Sequence, residues 1–290
     1  MKNKQISIII PLFNEGDNIK EILPKLIDYC KENNSKIIIV NDGSRDNTDE
    51  ILRLYSDSKY IKILSHKLNK GYGAAIKTGI KHCDTEYLIT FDGDGQHRVS
   101  DINKLKKKLK DNDADMVVGS RRGKIKSSFS KRLGKKIIRM TAKFLMSVPI
   151  HDINSGMKIY RTDLAKKYIH LTPDTMAFSD TITLIFINHR HLVLEESIEI
   201  KKRIKGKSKV NLESAFKTFM EVINIVFLFS PAKIFLPLSI LCFIAGLAIG
   251  IPVLIAGNGI STGSLLGIFA GIILFLLGLL AEQLSLIRRN

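Results

Sequence analysis

The chain has 290 residues, of which 45 are Lys or Arg and 28 are Asp or Glu, giving a formal net charge of +17. This length allows one sizeable core plus an appendage, and the positive charge favours an anionic partner such as a nucleotide, a nucleic acid or a membrane surface. Cys30, Cys83 and Cys242 are scattered without metal-binding spacing, as is typical of reduced thiols in a cytosolic compartment. Residues 1–5 are polar and few, so we expect no signal peptide.

Short runs rich in Ile and Val alternate with helical patterns in the first 120 residues. The predicted strands are 7–10, 36–40, 61–64, 87–91 and 115–118, and the predicted helices between them are 18–31, 48–55, 74–83 and 102–110. This alternation predicts an α/β fold with a mostly parallel sheet. Ligands of such sheets bind beyond the carboxyl ends of the strands, where polar loops follow each of the first four strands.

The loop after the fourth predicted strand reads Asp-Gly-Asp-Gly-Gln-His over residues 92–97. Two carboxylates in this spacing can ligate a hard cation such as Mg²⁺, which takes one or two carboxylates and completes its shell with substrate phosphates and water. An ordinary Asp/Gly turn has the same composition. The motif alone therefore leaves a metal site and a plain turn both open.

The earlier loops also contain residues suited to a nucleotide. Glu15 and Asp42 could accept hydrogen bonds from a base or a ribose, or they could serve as charges at helix N-termini. Gly71 and Gly73 permit close backbone approach, for example to phosphates at the N-terminus of the next helix. The third glycine of the dinucleotide-binding fingerprint is missing.

Beyond residue 118 the chain becomes basic and amphipathic, which predicts docking on an anionic membrane surface. The basic residues of this segment are Arg121, Arg122, Lys131, Arg132, Lys135, Lys136, Arg139 and Lys143. A second amphipathic stretch, 211–230, is expected to lie along the membrane interface.

Two uncharged apolar runs, 234–255 and 259–281, each exceed the roughly 20 residues needed to cross a bilayer. They predict a helical hairpin with spans at about 234–255 and 262–284. Lys233, Arg288 and Arg289 flank the spans and the loop between them has no positive charge, so the positive-inside rule places both termini and the N-terminal domain in the cytoplasm. Small-xxx-small faces through which hairpins could form a homo-oligomer are offered by Gly246, Gly250, Gly267 and Gly271.

Together these motifs resemble the family 2 glycosyltransferases of the GT-A fold, and most of all the dolichyl-phosphate mannose synthases and polyprenyl-phosphate glucosyltransferases. The resemblance covers about the first 210 residues in order. It rests on the segments 9–15, 40–44, 69–75, 92–97, 119–121, 152–156 and 206–209. It implies a Rossmann-like GT-A catalytic domain at 1–210, an amphipathic juxtamembrane helix at 211–230 and a transmembrane hairpin at 231–290.

The resemblance also implies roles for individual residues. Donor nucleotide binding is expected of Pro11, Asn14, Glu15, Asp42, Lys70, Gly71 and Asp92. The divalent cation, Mg²⁺ or Mn²⁺, is expected on Asp92, Asp94 and Gln96, and the acceptor phosphate on Arg121 and Arg132. Two departures are that Asn41 stands where many members have Asp and Lys158 where Arg is frequent. Because the chain has no Trp, it lacks the motif of processive polysaccharide synthases.

The sequence therefore predicts an inverting transfer of a hexose from a GDP- or UDP-sugar to a polyprenyl phosphate at the cytoplasmic face. A phosphate acceptor has a second pKa of about 6 and needs little help from a base. An acceptor hydroxyl, as in diacylglycerol, would need one, and Asp180 is the candidate, although it could also be a helix cap. A non-catalytic, membrane-anchored nucleotide-sugar-binding module is the remaining alternative, and nucleic-acid binding is disfavoured by the lack of aromatic-basic interleaving.

Overall fold

The computed structural model describes residues 6–121, 149–199, 227 and 229–289. These form two compact units: 6–121 and 149–199 belong to the first, and 227 and 229–289 to the second. The basic segment beyond Arg121, with the predicted acceptor residue Arg132, lies outside the described residues. So do segment 206–209 and nearly all of the predicted juxtamembrane helix.

The first unit is an α/β domain built on one seven-stranded sheet with the strand order β3-β2-β1-β4-β6-β5-β7. Its strands are β1 (Ile6–Leu12), β2 (Lys36–Asn41), β3 (Ile61–Ser65), β4 (Tyr87–Thr90), β5 (Met116–Ser120), β6 (Lys158–Arg161) and β7 (Val193–Ser197). Its helices are α1 (Gly16–Asn33), α2 (Thr48–Arg53), α3 (Tyr72–Lys81), α4 (Ser100–Asp111), α5 (Thr162–Tyr168) and α6 (Phe178–Asn188), with a 3-10 turn at Ile169–Leu171.

The first four strands are parallel, as the alternation of patterns predicted. β1 lies between β2 and β4, with Ile9 opposite Ile38 on one side and Thr90 on the other. The five predicted strands agree with β1 to β5 within two residues at each end. β6 departs from the parallel pattern, because it runs antiparallel to both β4 and β5.

Alternate residues of β1 face opposite layers of helices, which is why the strand reads as a continuous apolar run. Ile8 and Ile10 belong to the core cluster that also contains residues of α1 and α4. On the other face α3 approaches so closely that a Cβ on Gly79 would lie 2.5 Å from Ile9. Helices thus bury both faces of the sheet at β1, and the polar loops lie outside this core, at the rim of the sheet.

The second unit contains two long apolar helices, α7 (Ala232–Ile255) and α8 (Thr262–Arg289). Among the described residues these are the two helices with the length and composition to cross a membrane. Only 11% and 17% of the residues in their most apolar windows are buried, which distinguishes them from core helices of a soluble protein. The predicted spans, 234–255 and 262–284, fall inside these two helices.

The two helices pack against each other through their glycines. A Cβ on Gly267 would lie 2.9 Å from the Cα of Gly246, and one on Gly271 would lie 2.9 Å from the carbonyl oxygen of Ser239. The Ser264 hydroxyl donates to the carbonyl oxygen of Gly246 at 2.8 Å. The small residues that suggested assembly between hairpins thus form the seam within one hairpin.

Candidate active site

The polar loops that follow β1, β2, β3 and β4 lie along one rim of the sheet, because these strands are parallel neighbours. The predicted donor and metal residues lie at this rim in three segments of the chain, 11–15, 41–44 and 92–97. Residues 69–71 join them from the β3 side through hydrogen bonds to Asp42.

Asp92 is held by two side chains from different parts of the rim. Tyr72 donates its hydroxyl hydrogen to Oδ1 at 2.8 Å, and Nε2 of His97 lies 3.1 Å from Oδ2. Burial opposes ionisation of Asp92, but the contacts with His97 and Tyr72 and the charge of Arg121 outweigh it and lower its pKa. The carboxylate is therefore kept ionised.

Gly156 is required beside Asp92. A Cβ at this position would lie 2.0 Å from Oδ2 of Asp92, so any side chain there would clash with the carboxylate and displace it. Gly156 stands at the end of the Asp-x-Asn-Ser-Gly segment, just before β6. Gly156, two residues before the antiparallel strand, thus places a backbone without a side chain against the Asp92 carboxylate.

Asp94 and Gln96 share the loop of Asp92 and are half-buried. The backbone N–H of Gln96 donates to Oδ1 of Asp94 at 3.1 Å, which folds the loop back on itself. The described residues contain no cluster of three or more His, Cys, Asp or Glu side chains arranged for a metal. Two carboxylates and an amide oxygen nevertheless form a hard-oxygen donor set, which suits a cation that takes its other ligands from phosphates and water.

Asp42 is buried and its carboxylate organises the loop after β3. Oδ1 accepts from the backbone N–H of Lys70 at 2.9 Å and lies 2.6 Å from Nδ1 of His66, and Oδ2 accepts from the N–H of Gly71 at 2.8 Å. Nε2 of His66 lies 2.9 Å from the Thr78 hydroxyl. Lys70 is exposed, and Gly71 adopts a φ of 103°, which favours glycine.

A cleft of about 500 Å³ opens at the carboxyl ends of β1, β2 and β3. Its walls come from the loops after these strands and from the first turn of α2. The lining residues are Phe13, Asn14, Asn41, Gly43, Ser44, Arg45, Asp49, Ser65, His66, Lys67, Leu68 and Asn69. Phe13 and Leu68 expose 44% and 71% of their surface, so the cleft has apolar walls beside its polar groups.

The first loop is fixed by hydrogen bonds to the second. Asn14 has a left-handed backbone (φ 55°), and its N–H donates to the Ser44 hydroxyl at 3.0 Å while its side-chain oxygen accepts from the N–H of Arg45 at 2.8 Å. The N–H of Glu15 donates to the Thr48 hydroxyl at 3.2 Å. Pro11 lies within β1, where it is buried and contributes to the strand below the cleft.

Arg121 follows β5 and is engaged in a bidentate ion pair. Its Nε and Nη2 donate to the two oxygens of Asp152 at 2.7 Å each, and Nη2 also donates to the side-chain oxygen of Asn154 at 2.7 Å. The planar fork expected to bind phosphate is thus directed at Asp152. Among the described residues, Nη1 makes no hydrogen bond.

A buried lysine lies between the loop 152–156 and α6. The ammonium group of Lys158 donates to the carbonyl oxygen of Ile153 at 2.8 Å, to the Ser179 hydroxyl at 2.9 Å and to the Ser179 carbonyl oxygen. Burial lowers the pKa of Lys158 to about 7, against the attraction of Asp180 and Asp152. Asp180 is buried in the first turn of α6, where Arg121 and Lys158 both interact with its charge.

The N-terminus of α3 is closed by the protein itself. The N–H groups of Gly73 and Ala74 donate to the carbonyl oxygen of Asp174 at 2.8 and 3.3 Å, and a Cβ on Gly73 would lie 2.3 Å from the Pro173 carbonyl oxygen. Lys77 holds the same loop through the Asp174 carboxylate at 2.9 Å. The close approach predicted for the glycines is therefore to loop 172–175.

Sequence reasoning missed Tyr72, Asp49 and the anchoring role of Lys158. Tyr72 lies within segment 69–75, but nothing in the sequence pairs it with Asp92, 20 residues away. Asp49 looked like an ordinary acidic residue in the first turn of a helix. Lys158 was identified only as a replacement for Arg, and the sequence did not reveal its burial or its three hydrogen-bond acceptors.

Comparison with known proteins agrees with this geometry. The family model described as glycosyl transferase family 2 matches residues 7–169, and a model described as the GtrB C-terminal hairpin matches residues 230–287. The chain therefore belongs to glycosyl transferase family 2, and it is an enzyme of the GT-A fold followed by two apolar helices. The predicted family and fold class are confirmed.

Two curated relatives carry names that refer to polyprenyl phosphates. A dolichyl-phosphate beta-glucosyltransferase of Trichomonas vaginalis is 29% identical over 76% of this chain and 72% of its own length. An undecaprenyl-phosphate 4-deoxy-4-formamido-L-arabinose transferase of Pseudomonas savastanoi pv. phaseolicola is 30% identical over 83% of this chain and 69% of its own. The chain thus has relatives named as polyprenyl-phosphate glycosyltransferases.

A solved structure shows the same fold at lower identity. Glucosyl-3-phosphoglycerate synthase of Mycobacterium tuberculosis, in complex with Mn²⁺, UDP and glucosyl-3-phosphoglycerate, superposes with a TM-score of 0.59. The match has 14% identity and covers 77% of this chain and 79% of the synthase. At this identity the likeness establishes the fold alone.

Proposed function

We propose that the protein transfers a hexose from a GDP- or UDP-sugar to a polyprenyl phosphate at the cytoplasmic face of a membrane, with inversion at the anomeric carbon. The observation that carries this proposal is that a nucleotide-sized cleft and the Asp92–Asp94 loop share one rim of the sheet. The names of the two curated relatives and the match to the hairpin model support the lipid phosphate as acceptor.

The donor would lie along the rim from the cleft to the β4 loop. Phe13 and Leu68 give the cleft apolar walls for the flat face of a base, and Asn14 lies beside them. The donor residues that do not line the cleft act from behind it. Asp42 fixes the backbone of Lys70 and Gly71, Glu15 ties the first loop to Thr48, and Pro11 is part of β1.

Asp92, Asp94 and Gln96 would hold a divalent cation, Mg²⁺ or Mn²⁺, as the solved relatives with UDP and either ion support. Once bound, the cation would supply Lewis-acid charge to neutralise the departing diphosphate. Tyr72 and His97 orient the Asp92 carboxylate for this task and keep it ionised. Gly156 leaves the space that the carboxylate occupies.

In the transfer, an oxygen of the acceptor phosphate bonds to the anomeric carbon as the bond from that carbon to the diphosphate breaks. The acceptor is largely dianionic at neutral pH and needs no proton removed. It needs positive charge, which Arg121 and the basic segment with Arg132 would provide. Asp180 interacts electrostatically with Arg121 and Lys158, and in this reaction it would act as a charge that holds these groups rather than as a base.

The proposed domain boundaries assign catalysis and membrane anchoring to different parts of the chain. Residues 1–210 would form the catalytic domain, 211–230 a juxtamembrane amphipathic helix and 231–290 the hairpin that anchors the enzyme in the membrane. The membrane itself would deliver the lipid acceptor, so that the anchor also confines the enzyme to the surface where its substrate is found.

The proposal is tested with the purified full chain in nanodiscs, given radiolabelled UDP-glucose or GDP-mannose with Mg²⁺ and a short polyprenyl phosphate. We expect label to enter the organic phase with the polyprenyl phosphate but not with the dephosphorylated polyprenol. Label in diacylglycerol and none in the phosphate lipid would replace this acceptor with a glycolipid. Nucleotide binding without transfer to any lipid, under conditions where a homologous synthase is active, would indicate the binding module instead.

A further inference from the structure

Lys158, the first residue of β6, is a buried charged residue to which the proposed reaction gives no role. It exposes 1% of its surface. Its ammonium group has three hydrogens to donate, and they go to the carbonyl oxygen of Ile153 and to the hydroxyl and carbonyl oxygens of Ser179. Burial of an ammonium group is costly even when it is paired, so an apolar side chain would fill the same space at lower cost. What the lysine connects is therefore the clue to its role.

The contacts of Lys158 join loop 152–156 to the first turn of α6. Ile153 belongs to the loop, and Ser179 belongs to the helix. Ser179 adds a second link, because its hydroxyl donates to the carbonyl oxygen of Ser155 at 2.7 Å. The loop is thus held at positions 153 and 155 by a lysine and a serine that are hydrogen-bonded to each other.

The two residues on either side of Ile153 hold the guanidinium group of Arg121. Both carboxylate oxygens of Asp152 accept from it, at 2.7 Å each. Asn154 accepts from Nη2 through its side-chain oxygen at 2.7 Å and through its carbonyl oxygen at 3.2 Å. Because peptide units are planar and rigid, a shift of the carbonyl group of residue 153 would move its two neighbours as well. The orientation of Arg121 therefore depends on the position that Lys158 fixes.

We propose that Lys158 is a positioning residue for Arg121: it holds loop 152–155 against α6 and so keeps the guanidinium group in the orientation that receives the acceptor phosphate. The inference rests on the proposed function, in which Arg121 binds that phosphate. Lys158 acts through the loop, since all three of its donors are used inside the protein.

The donor side should be insensitive to this contact. The proposed nucleotide cleft is lined by residues of the loops after β1, β2 and β3 and of α2, and neither Ile153 nor Ser179 is among them. Gly156, which lies against Asp92, is held separately, because its carbonyl oxygen accepts from the Thr90 hydroxyl at 2.6 Å. Loss of the lysine should therefore weaken use of the acceptor and spare binding of the donor.

The test uses full-chain variants in nanodiscs, with transfer kinetics for the acceptor and calorimetry of UDP or GDP binding with Mg²⁺ for the donor. Lys158→Met retains a long side chain and removes the donors. We expect the apparent KM for polyprenyl phosphate to rise roughly fivefold or more, because a displaced guanidinium group is misaligned with the phosphate, while the Kd of the nucleotide is unchanged. Equal weakening of both substrates would indicate a general loosening of the fold and overturn the proposal, as would an unchanged KM for the acceptor.

Two further variants separate positioning from stability. Lys158→Arg keeps N–H donors at this position and is expected to restore most of the acceptor affinity. Ser179→Ala keeps the lysine but removes the hydroxyl that joins it to Ser155, and it should raise the same KM by a smaller factor. If thermal unfolding shows that Lys158→Met does not fold, Ser179→Ala decides the question, and a wild-type KM for the acceptor in that variant overturns the proposal.

A double-mutant cycle identifies the residue through which Lys158 acts. Arg121→Ala is expected to raise the KM for polyprenyl phosphate roughly tenfold or more, since it removes charge-assisted hydrogen bonds. Adding Lys158→Met to this variant should raise the KM little further, because residues that act through one contact are not additive. If the two effects multiply instead, Lys158 does not act through Arg121 and the proposal is wrong.

Lys166→Met is the matched control. The ammonium group of Lys166 also donates to a backbone carbonyl oxygen, that of Cys83, at 2.7 Å. Cys83 precedes β4, so this contact lies at the opposite rim of the sheet from residues 92–97. We expect wild-type kinetics, and a rise in the acceptor KM equal to that of Lys158→Met would overturn the proposal. If wild-type protein transfers sugar to no polyprenyl phosphate, the proposed function fails as well, whereas transfer with an acceptor KM that Lys158→Met leaves intact refutes this inference alone.

Discussion

At the scale of single residues, the site depends on how one carboxylate is held. Asp92 is contacted by Tyr72 from the α3 side and by His97 from its own loop, and Gly156 leaves it room. All four residues lie in the segments 69–75, 92–97 and 152–156 that the sequence singles out, but the sequence does not show that they meet. The contacts join residues up to 64 positions apart, which no local pattern can reveal.

Loss of the second carboxylate is expected to abolish transfer. Asp94→Ala removes a negative charge from a half-buried loop, so the melting temperature should change little while turnover falls below detection. EDTA should have the same effect on wild-type protein, and added Mg²⁺ or Mn²⁺ should restore activity. Full activity in EDTA would exclude the proposed metal role.

Tyr72→Phe tests the orientation of Asp92. Burial and the charge of Asp92 raise the pKa of Tyr72, so its hydroxyl stays protonated and donates. A hydrogen bond to a charged group contributes about 1.5–3 kcal/mol, and we expect kcat to fall roughly tenfold or more with a higher Mg²⁺ requirement. A Phe variant with wild-type kcat and wild-type Mg²⁺ dependence would make the contact incidental.

At the scale of elements, the antiparallel strand β6 and helix α6 complete a site that the parallel strands begin. β6 pairs with β4 inside the sheet and begins at Lys158, two residues after Gly156. The sequence predicted β1 to β5 because each is a short apolar run bounded by polar turns. It did not predict β6, whose four residues include a lysine and an arginine and read as a polar segment. The burial of Lys158 is a tertiary effect, since this lysine finds its acceptors only in the fold.

Gly156→Ala is expected to reduce activity far more than stability. The new methyl group would lie 2.0 Å from Oδ2 of Asp92, so the carboxylate must move away from its partners. We expect at least a tenfold loss of turnover, measured by the transfer assay alongside thermal unfolding. Gly263→Ala is the control glycine, because a Cβ there meets nothing nearer than the Ser261 hydroxyl at 3.7 Å. Equal activities of the two variants would show that the space beside Asp92 is not critical.

The buried Lys158 predicts a dependence of stability on pH. Its pKa falls from 10.5 in the unfolded chain to about 7 in the fold, so between these values the unfolded state binds more protons. The free energy of unfolding should therefore rise with pH from about 7 to 10. Chemical unfolding of the wild type and Lys158→Met at several pH values isolates this contribution, and the variant should show a smaller rise. Parallel pH profiles would mean that Lys158 stays protonated in the fold.

At the scale of the whole molecule, the chain combines a catalytic domain with two helices whose surfaces are apolar. The hairpin could be predicted from the sequence, because the length of an uncharged apolar run is a property of the sequence itself. The helix against which its glycines pack could not be predicted, because a small-xxx-small face has the same sequence whether its partner helix belongs to the same chain or to another. The structure places Gly246, Gly267 and Gly271 inside the hairpin.

The topology can be tested without activity. A reporter fused after Asn290 should respond as cytoplasmic, and a tag inserted at Asn258 should be reached only from the opposite side. The physical reason is the placement of Lys233, Arg288 and Arg289 outside the apolar spans and the absence of positive charge in the connecting sequence. Detection of the C-terminal reporter on the far side would contradict both the orientation and the proposed location of the active site.

The hydrogen bonds of Asp42 have a thermodynamic consequence for the donor. Because the carboxylate holds His66 and the backbone of Lys70 and Gly71, the loop after β3 has lost its conformational freedom when the chain folds, before any nucleotide arrives. Under the proposed function, a nucleotide that enters the cleft would meet an already ordered backbone, so little ordering entropy would oppose its binding there. For the proposed donor site we therefore expect a rigid template, at which association depends on how well the nucleotide fits rather than on a loop closing around it.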